Sequence, residues 1–254
     1  MLKVLIPEDR RRVTLRFQHP KGNIITAELV RQLRQAADDL RLLPTVRLVV
    51  LEGEGDDFSF GASVPEHAPG QIEDVLPDFH ALMLDWLHLP MPTAALVRGR
   101  CFGGGFELAL ACDFILAADD ATFALPEIAL GVFAPAASVL LPARVGLAAA
   151  TSALLTGTTR TSAEWQALGL IERTAPVERL DAVMDEWFAS GVGRWSAESL
   201  RHAVTALRGP VRELAVRELA RVEQVYLNDL MPSHDAREGI QAFLDKRAPR
   251  WRDS

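Results

Sequence analysis

A chain of 254 residues can bury one substantial core, and its apolar residues are spread too evenly to leave a linker between two independent domains. The net charge of −7, with no block of Lys or Arg, argues against nucleic acid as the main partner, because neutralising phosphates takes a basic face. Cys101 and Cys112 are the only cysteines. Lying on what reads as a buried strand-to-helix segment, they exclude a disulfide framework and suit a reducing compartment.

At the start of the chain, Glu8, Asp9 and Arg10 precede any long apolar run, which is not the pattern of a secretory signal. Residues 2–6 and 13–18 read as strands joined by a charged turn at 9–11, and His19-Pro20-Lys21-Gly22-Asn23 reads as a loop. From Thr26, a candidate N-cap, Leu29, Val30, Leu33, Ala36, Ala37 and Leu40 recur at helical spacing. Residues 46–51 form a compact β-branched run of the kind buried in a parallel sheet, with a turn over 52–57. An irregular stretch over 58–69 leads to an amphipathic helix over 72–88. A strand at 93–97, the glycines, a short helix through Ala111 and a strand at 114–117 continue an α/β alternation.

Residues 128–143 carry no charge, but the run is short for a membrane span and contains Pro135 and Pro142. A soluble, cytoplasmic protein is expected. After residue 147 the pattern is almost entirely helical, over 161–168, 180–189 and 196–228, with Pro232 interrupting before a last helix over 235–247. The expected organisation is a catalytic core over 1–195 and a helical appendage over 196–254, without repeats or low-complexity tracts.

Three glycines precede Glu107 in Cys101-Phe102-Gly103-Gly104-Gly105-Phe106-Glu107. Such a run is often only a tight turn or a close strand–helix contact. A Walker loop is excluded because Phe106-Glu107 stands where Gly-Lys-Ser/Thr is needed, and a dinucleotide fingerprint because Leu108 stands where its third glycine would be. What remains is a helix start with free N–H groups, suited to a developing negative charge. Glu107 itself reads either as a first-turn helix stabiliser or, given its apolar flanks, as an acid/base group whose proton affinity burial raises. Glu127, a single charge between Pro126 and Ile128, reads alone as an arginine's partner. If the fold brings it to Glu107, two carboxyls face one polarised carbonyl, an arrangement that suits adding water across an activated double bond.

Other chemistry fits less well. Pro65 stands where a nucleophile elbow around Ser63 would need glycine, which disfavours a serine hydrolase. His67, His80, His88 and His234 are scattered, without metal-ligand spacing, so no metal site is expected. His67 reads as a solvated loop residue or as a border of the acyl pocket. Trp86, Trp165, Trp195 and Trp251 read as packing.

Gly103-Gly104-Gly105-Phe106-Glu107-Leu108-Ala109-Leu110-Ala111-Cys112-Asp113, followed by Ala121-Thr122-Phe123-Ala124-Leu125-Pro126-Glu127-Ile128-Ala129-Leu130-Gly131, resembles the signature of the crotonase superfamily, the enoyl-CoA hydratases and isomerases. Residues 20–26, 58–63 and 235–249 resemble its two substrate loops and its C-terminal helix. The resemblance implies an α/β fold, a crotonase-like (ββα)n superhelix with a helical C-terminal trimerisation region, in trimers commonly paired into hexamers. It implies an oxyanion hole from the N–H groups of Ala62 and Gly104, with Glu107 as base and Glu127 as acid. Lys21, Gly22, Phe60, Ser63 and Val64 would line the groove for coenzyme A, which enters as part of the substrate, and no metal or redox cofactor is expected. Phe243 and Lys246 would reach the coenzyme A of a neighbouring subunit, although a lysine there also reads as a solvated dipole partner.

The chain departs from the family pattern at Ser63, where many relatives have Asp, and at Val132-Phe133-Ala134-Pro135-Ala136-Ala137-Ser138, which replaces a glycine-rich helix start. Phe133 and Pro135 would make a bulky, stiff wall suited to a flat or cyclic acyl group. Within the family the chain looks most like the cyclohexa-1,5-diene-1-carbonyl-CoA hydratases. Double-bond isomerisation, C–C hydrolysis and a non-catalytic CoA- or RNA-binding role remain as alternatives.

Overall fold

The computed structural model describes residues 1–67 and 70–254. Of the irregular stretch expected over 58–69, residues 68 and 69 therefore lie outside the described residues. Strands β1 (Leu2–Leu5) and β2 (Arg12–Phe17) pair antiparallel. On β2 the side chains of Val13, Leu15 and Phe17 go inward and those of Arg12, Thr14 and Arg16 lie toward solvent, the period-two pattern of a strand covered on one face. Helix α1 (Ala27–Arg41) begins where the sequence indicates: the Thr26 hydroxyl accepts the Leu29 N–H at 3.3 Å, and all six residues of the apolar stripe are buried.

Strand β3 (Leu48–Gly53) is buried at every position and lies between β2 and β4, parallel to both. Helix α2 (Ile72–Leu87), β4 (Thr93–Val97), β5 (Arg100–Phe102), α3 (Gly104–Leu110), β6 (Phe114–Ala118) and β7 (Thr122–Ala124) follow. The chain then passes through α4 (Pro135–Val145), α5 (Leu147–Thr156), β8 (Arg160–Thr161), α6 (Ser162–Ala167), β9 (Arg173–Ala175), α7 (Leu180–Ser190), α8 (Ala197–Gln224), a π-helical turn at Val225–Leu230 and α9 (His234–Leu244).

One sheet runs β1-β2-β3-β4-β6-β9, parallel except at the β1/β2 edge. A second, smaller sheet, β5-β7-β8, has β5 parallel to β7 and β8 antiparallel to it. Bridges Ser59–Cys101 and Ile25–Ala62 extend this layer toward the first helices. The chain thus repeats a turn made of a long strand, a short strand and a helix: β4, β5 and α3, then β6, β7 and α4. The α/β expectation holds, but the sequence pattern misses β5, β7, β8 and β9. Each spans only two or three residues, too few for a periodicity to register. The region after residue 147 accordingly contains two strands and is not almost entirely helical, and the uncharged stretch at 128–143 contains most of α4. No helix among the described residues is long and apolar enough to cross a membrane.

Helix α8 is fastened to the core through a buried cation. Arg208, 4 % exposed, donates to the Asp113 carboxylate at 2.8 Å and to the carbonyls of Leu87, Leu89 and Met91 at 3.2, 2.7 and 3.1 Å. Asp113 in turn accepts the Thr93 N–H at 2.8 Å, so one ion pair ties α8 to the loop after α2, to β4 and to the start of β6. Removing the cation leaves a buried carboxylate and several carbonyls without partners, a loss of about 3 kcal/mol or more. Arg208→Met is therefore expected to lower the urea-unfolding free energy by about 3 kcal/mol. A loss under about 1 kcal/mol would show that the pair does not hold α8 in place.

Candidate active site

Three chain segments leave the small sheet at the same edge. Strands β5 and β7 are parallel neighbours, so α3, which follows β5, and the 3-10 turn Pro126–Leu130, which follows β7, start side by side. This brings Glu107 on the first turn of α3 and Glu127 on the 3-10 turn into one cavity. The Ser59–Cys101 bridge sets the third segment, and three residues after Ser59 comes Ala62, facing Gly104.

Two of the glycines are required by this geometry. Gly103 has φ +49°, and a methyl group on it would lie 2.6 Å from Glu127 Oε1, so the bare backbone is what admits the carboxyl. A methyl on Gly104 would stand 3.2 Å from the Ala62 nitrogen. The N–H groups of Ala62 and Gly104 donate to no carbonyl among the described residues. Gly104 opens α3, where backbone N–H groups have no helical partner. Two neighbouring donors at the cavity wall can therefore hold a carbonyl oxygen as it gains negative charge.

Burial dominates the electrostatics. Glu107 is 4 % exposed, and its Oε1 accepts the Ala137 N–H at 2.9 Å. Loss of water pushes its pKa up to about 7, against the opposing pull of the Ala137 and Ala136 amides at the first turn of α4. Glu127 is pushed up to about 8, first by burial and then by the charge of Glu107, and its Oε2 has no hydrogen-bond partner. The two titrate as a pair. Glu107, with an amide donor, loses its proton more readily, while Glu127 holds its own longer. One acceptor and one donor of protons thus share a cavity at neutral pH.

The cavity, about 50 Å³, is otherwise mostly apolar, with Ile25, Val30, Ile72, Leu76 and Phe79 on one side and Phe133, Ala134 and Pro135 on the other. A larger cleft of about 590 Å³ lies between β1 and α7, but it holds neither glutamate, and its charges are paired, Arg12 with Asp185 and Arg16 with Glu52. The smaller cavity is the candidate site because it concentrates the unpaired polar groups.

Of the residues singled out in the sequence, Ala62, Gly104, Glu107, Glu127, Phe133 and Pro135 line this cavity. The salt-bridge reading of Glu127 is excluded among the described residues: it is buried against Glu107 with no cation, and one of its oxygens is bare. The carboxylate of Glu107 reaches α4, which sets aside its reading as only a stabiliser of its own helix. Gly22 accepts the Phe60 N–H at 2.8 Å, which ties the two expected substrate loops together, and the Arg100 guanidinium covers the Phe60 ring at 4.1 Å. Lys21 is exposed nearby. Ser63 and Val64 stand behind the cavity: the Ser63 carbonyl meets His67 Nδ1 at 2.9 Å, and Val64 packs on the apolar cluster of Ile72 and Leu76. Phe243 and Lys246 lie at the end of α9, exposed and outside the cavity of their own chain.

His67 corrects the solvated-loop reading. It lines the cavity, and burial lowers its pKa, which favours the neutral ring with the Nδ1 proton on the Ser63 carbonyl. Tyr226, which the sequence reading passes over, also lines the cavity, its ring set against Phe133 at 5.3 Å. The available signal was that it is the only tyrosine in the chain.

Residues 12–254 match the family described as Enoyl-CoA hydratase/isomerase. The chain is 45 % identical to a cyclohexa-1,5-dienecarbonyl-CoA hydratase of Thauera aromatica, covering 98 % of this chain and 96 % of the relative. It is 34 % identical to a carnitinyl-CoA dehydratase of Salmonella arizonae, with 93 % of each chain covered. Among solved structures, a putative enoyl-CoA hydratase from Mycobacterium avium paratuberculosis superposes with a TM-score of 0.88 at 30 % identity, covering 99 % of both chains.

The raised carboxyls make stability depend on pH in a definite direction. Both groups bind protons more tightly folded than at the ordinary 4.5, so between about pH 4.5 and about pH 8 the native state holds the extra protons and stability falls as pH rises. Glu127→Gln removes the like-charge repulsion. The variant is expected to match the parent in urea midpoint near about pH 4 and to exceed it near about pH 9. A variant less stable than its parent at the higher pH would contradict the assignment.

Proposed function

The chain belongs to the enoyl-CoA hydratase/isomerase family and is an enzyme of the hydratase type, and from that premise we propose that it adds water to a cyclic dienoyl thioester of the cyclohexa-1,5-diene-1-carbonyl-CoA class. Its fold is the crotonase fold. The observation that carries the reading is the meeting of Glu107 and Glu127 beside the two free N–H groups of Ala62 and Gly104. In this reading those amides hold the thioester oxygen and strengthen their hydrogen bonds as it becomes an enolate.

Ionised Glu107 takes a proton from a bound water whose oxygen bonds to the β-carbon, and the π electrons move onto the thioester oxygen. Protonated Glu127 then returns a proton to the carbon skeleton, for a cyclic diene at the far end of the extended enolate. That leaves one ring double bond conjugated to the carbonyl and a hydroxyl on the carbon attacked, so the substrate gains one water. Water addition transfers no electrons, so no redox partner is invoked. The Ala137 N–H on Glu107 and the bare Oε2 of Glu127 support these roles, since only the first carboxylate has a donor to steady its charge. Isomerisation needs only one acid/base residue, and two carboxyls in one cavity favour hydration over it.

The cyclic acyl group is favoured by the stiff wall of Phe133 and Pro135 and by the 45 % identity to the Thauera relative. Loops at Lys21, Gly22 and Phe60 are proposed to carry the coenzyme A, and Phe243 and Lys246 that of a neighbour in a homotrimer or hexamer. A monomer in sedimentation velocity would remove that last part. Two free, buried cysteines suit a cytoplasmic setting, and fractionation that found the protein elsewhere would argue against it.

Incubation with linear and cyclic enoyl- and dienoyl-CoA esters is expected to add the mass of one water, fastest with the cyclic diene. Glu107→Gln and Glu127→Gln are each expected to lower kcat by about 100-fold or more. Full turnover in either variant, or product of unchanged mass, would overturn the mechanism.

A further inference from the structure

Tyr226 is a polar residue of the cavity that the hydration steps above do not use. Tyr226 is 2 % exposed, lies on the wall of the same cavity as Glu107 and Glu127, and makes no hydrogen bond through its hydroxyl among the described residues. A tyrosine hydroxyl on the wall of a mostly apolar cavity is available to a ligand bound there. Here the surrounding protein surface is mostly hydrocarbon, from Ile72, Leu76, Phe79 and Phe133.

The side chain is also held in place. Its ring packs edge-on to Phe133, with centroids 5.3 Å apart and an angle of 68° between planes. It stands in the π-helical turn Val225–Leu230, where the Met231 N–H donates to the Tyr226 carbonyl at 2.9 Å, five residues back. Such widened turns are frequent at functional sites, and this one closes α8. Burial and the nearby charges of Glu127 and Glu107 raise the pKa of the phenol, so it stays protonated wherever the enzyme works. It is a fixed donor beside two groups that trade protons.

We propose that the Tyr226 hydroxyl donates a hydrogen bond to the oxygen that the reaction places on the acyl group, first as the attacking water and then as the product's hydroxyl. The proposal rests on the hydratase reading above. Tyr226 keeps its own proton throughout: Glu107 removes a proton from the water, Glu127 supplies one to carbon, and the phenol fixes where the oxygen sits. In the reverse direction the same hydrogen bond assists the departing hydroxyl. Among bound thioesters, the residue then distinguishes those that carry a hydroxyl on the reacting carbon from those that do not.

Because Tyr226 is the only tyrosine, growth on 3-fluorotyrosine places a single fluorine reporter in the cavity. Its ¹⁹F resonance is expected to move on adding the hydroxyacyl-CoA product and to move much less on adding the saturated acyl-CoA that lacks the hydroxyl. Tyr226→Phe is expected to lower kcat for hydration by about 10- to 100-fold and to weaken hydroxyacyl-CoA by about 10-fold, leaving saturated acyl-CoA within about twofold of the parent. Equal ¹⁹F shifts with both ligands, or equal weakening of both in the variant, would make Tyr226 a packing residue and overturn the proposal. If the variant does not fold, the ¹⁹F comparison in the parent sequence decides alone. Conversion of the diene with no ¹⁹F response defeats this inference and leaves the hydratase reading intact. Failure of the parent to add water defeats that reading instead.

Discussion

Two carboxyls buried together with no cation between them are the costly feature around which the structure is arranged. Isolated charges do not survive in such a place, so the pair keeps a proton near neutral pH, as the proposed acid/base role needs. Much of the surrounding architecture bears on that pair. The parallel pairing of β5 and β7 brings the two backbones to one edge, Gly103 leaves room for the Glu127 carboxyl, and the first turn of α4 steadies Glu107. Stability is given up at neutral pH to keep these carboxyls buried, which is a common exchange at functional sites.

The rest of the fold supplies rigidity. The larger sheet contributes many side chains to one continuous apolar core, so the small sheet and its exits rest on a firm base. Arg208 anchors α8 to the strand ends, and α8 leads into the π turn that carries Tyr226. A second apolar cluster of Ile72, Leu76, Val132, Tyr226, Met231 and Ile240 joins that turn and α9 to the cavity wall. The C-terminal segment therefore helps to shape the cavity of its own chain.

Much of this was legible in the sequence. The stripe from Leu29 to Leu40 and the Thr26 cap predict α1 because helix periodicity and capping are local properties. Gly103 to Glu107 and Pro126-Glu127 stand out because charges flanked by apolar residues, and glycines that open a helix, are themselves local patterns. The short strands were not legible, since β5, β7 and β8 are defined by what they pair with. Tyr226 was missed as a site residue for the same reason, and the sequence left His67 open between a solvated loop residue and a border of the acyl pocket. A histidine in a charged loop and a tyrosine late in a long helical pattern look ordinary until the fold turns them toward the cavity.

The central claim concerns the protonation of the pair, and carboxyl ¹³C chemical shifts measure it directly. In protein labelled with ¹³C-carboxyl glutamate, two resonances are predicted to titrate with apparent midpoints near 7 and 8. In Glu127→Gln one of these resonances should be lost and the other should keep its midpoint near 7, because burial rather than the charge of Glu127 raises Glu107. If every glutamate has finished titrating by about pH 5.5, the carboxyls are ordinary solvated groups and the proposed acid/base pair does not exist.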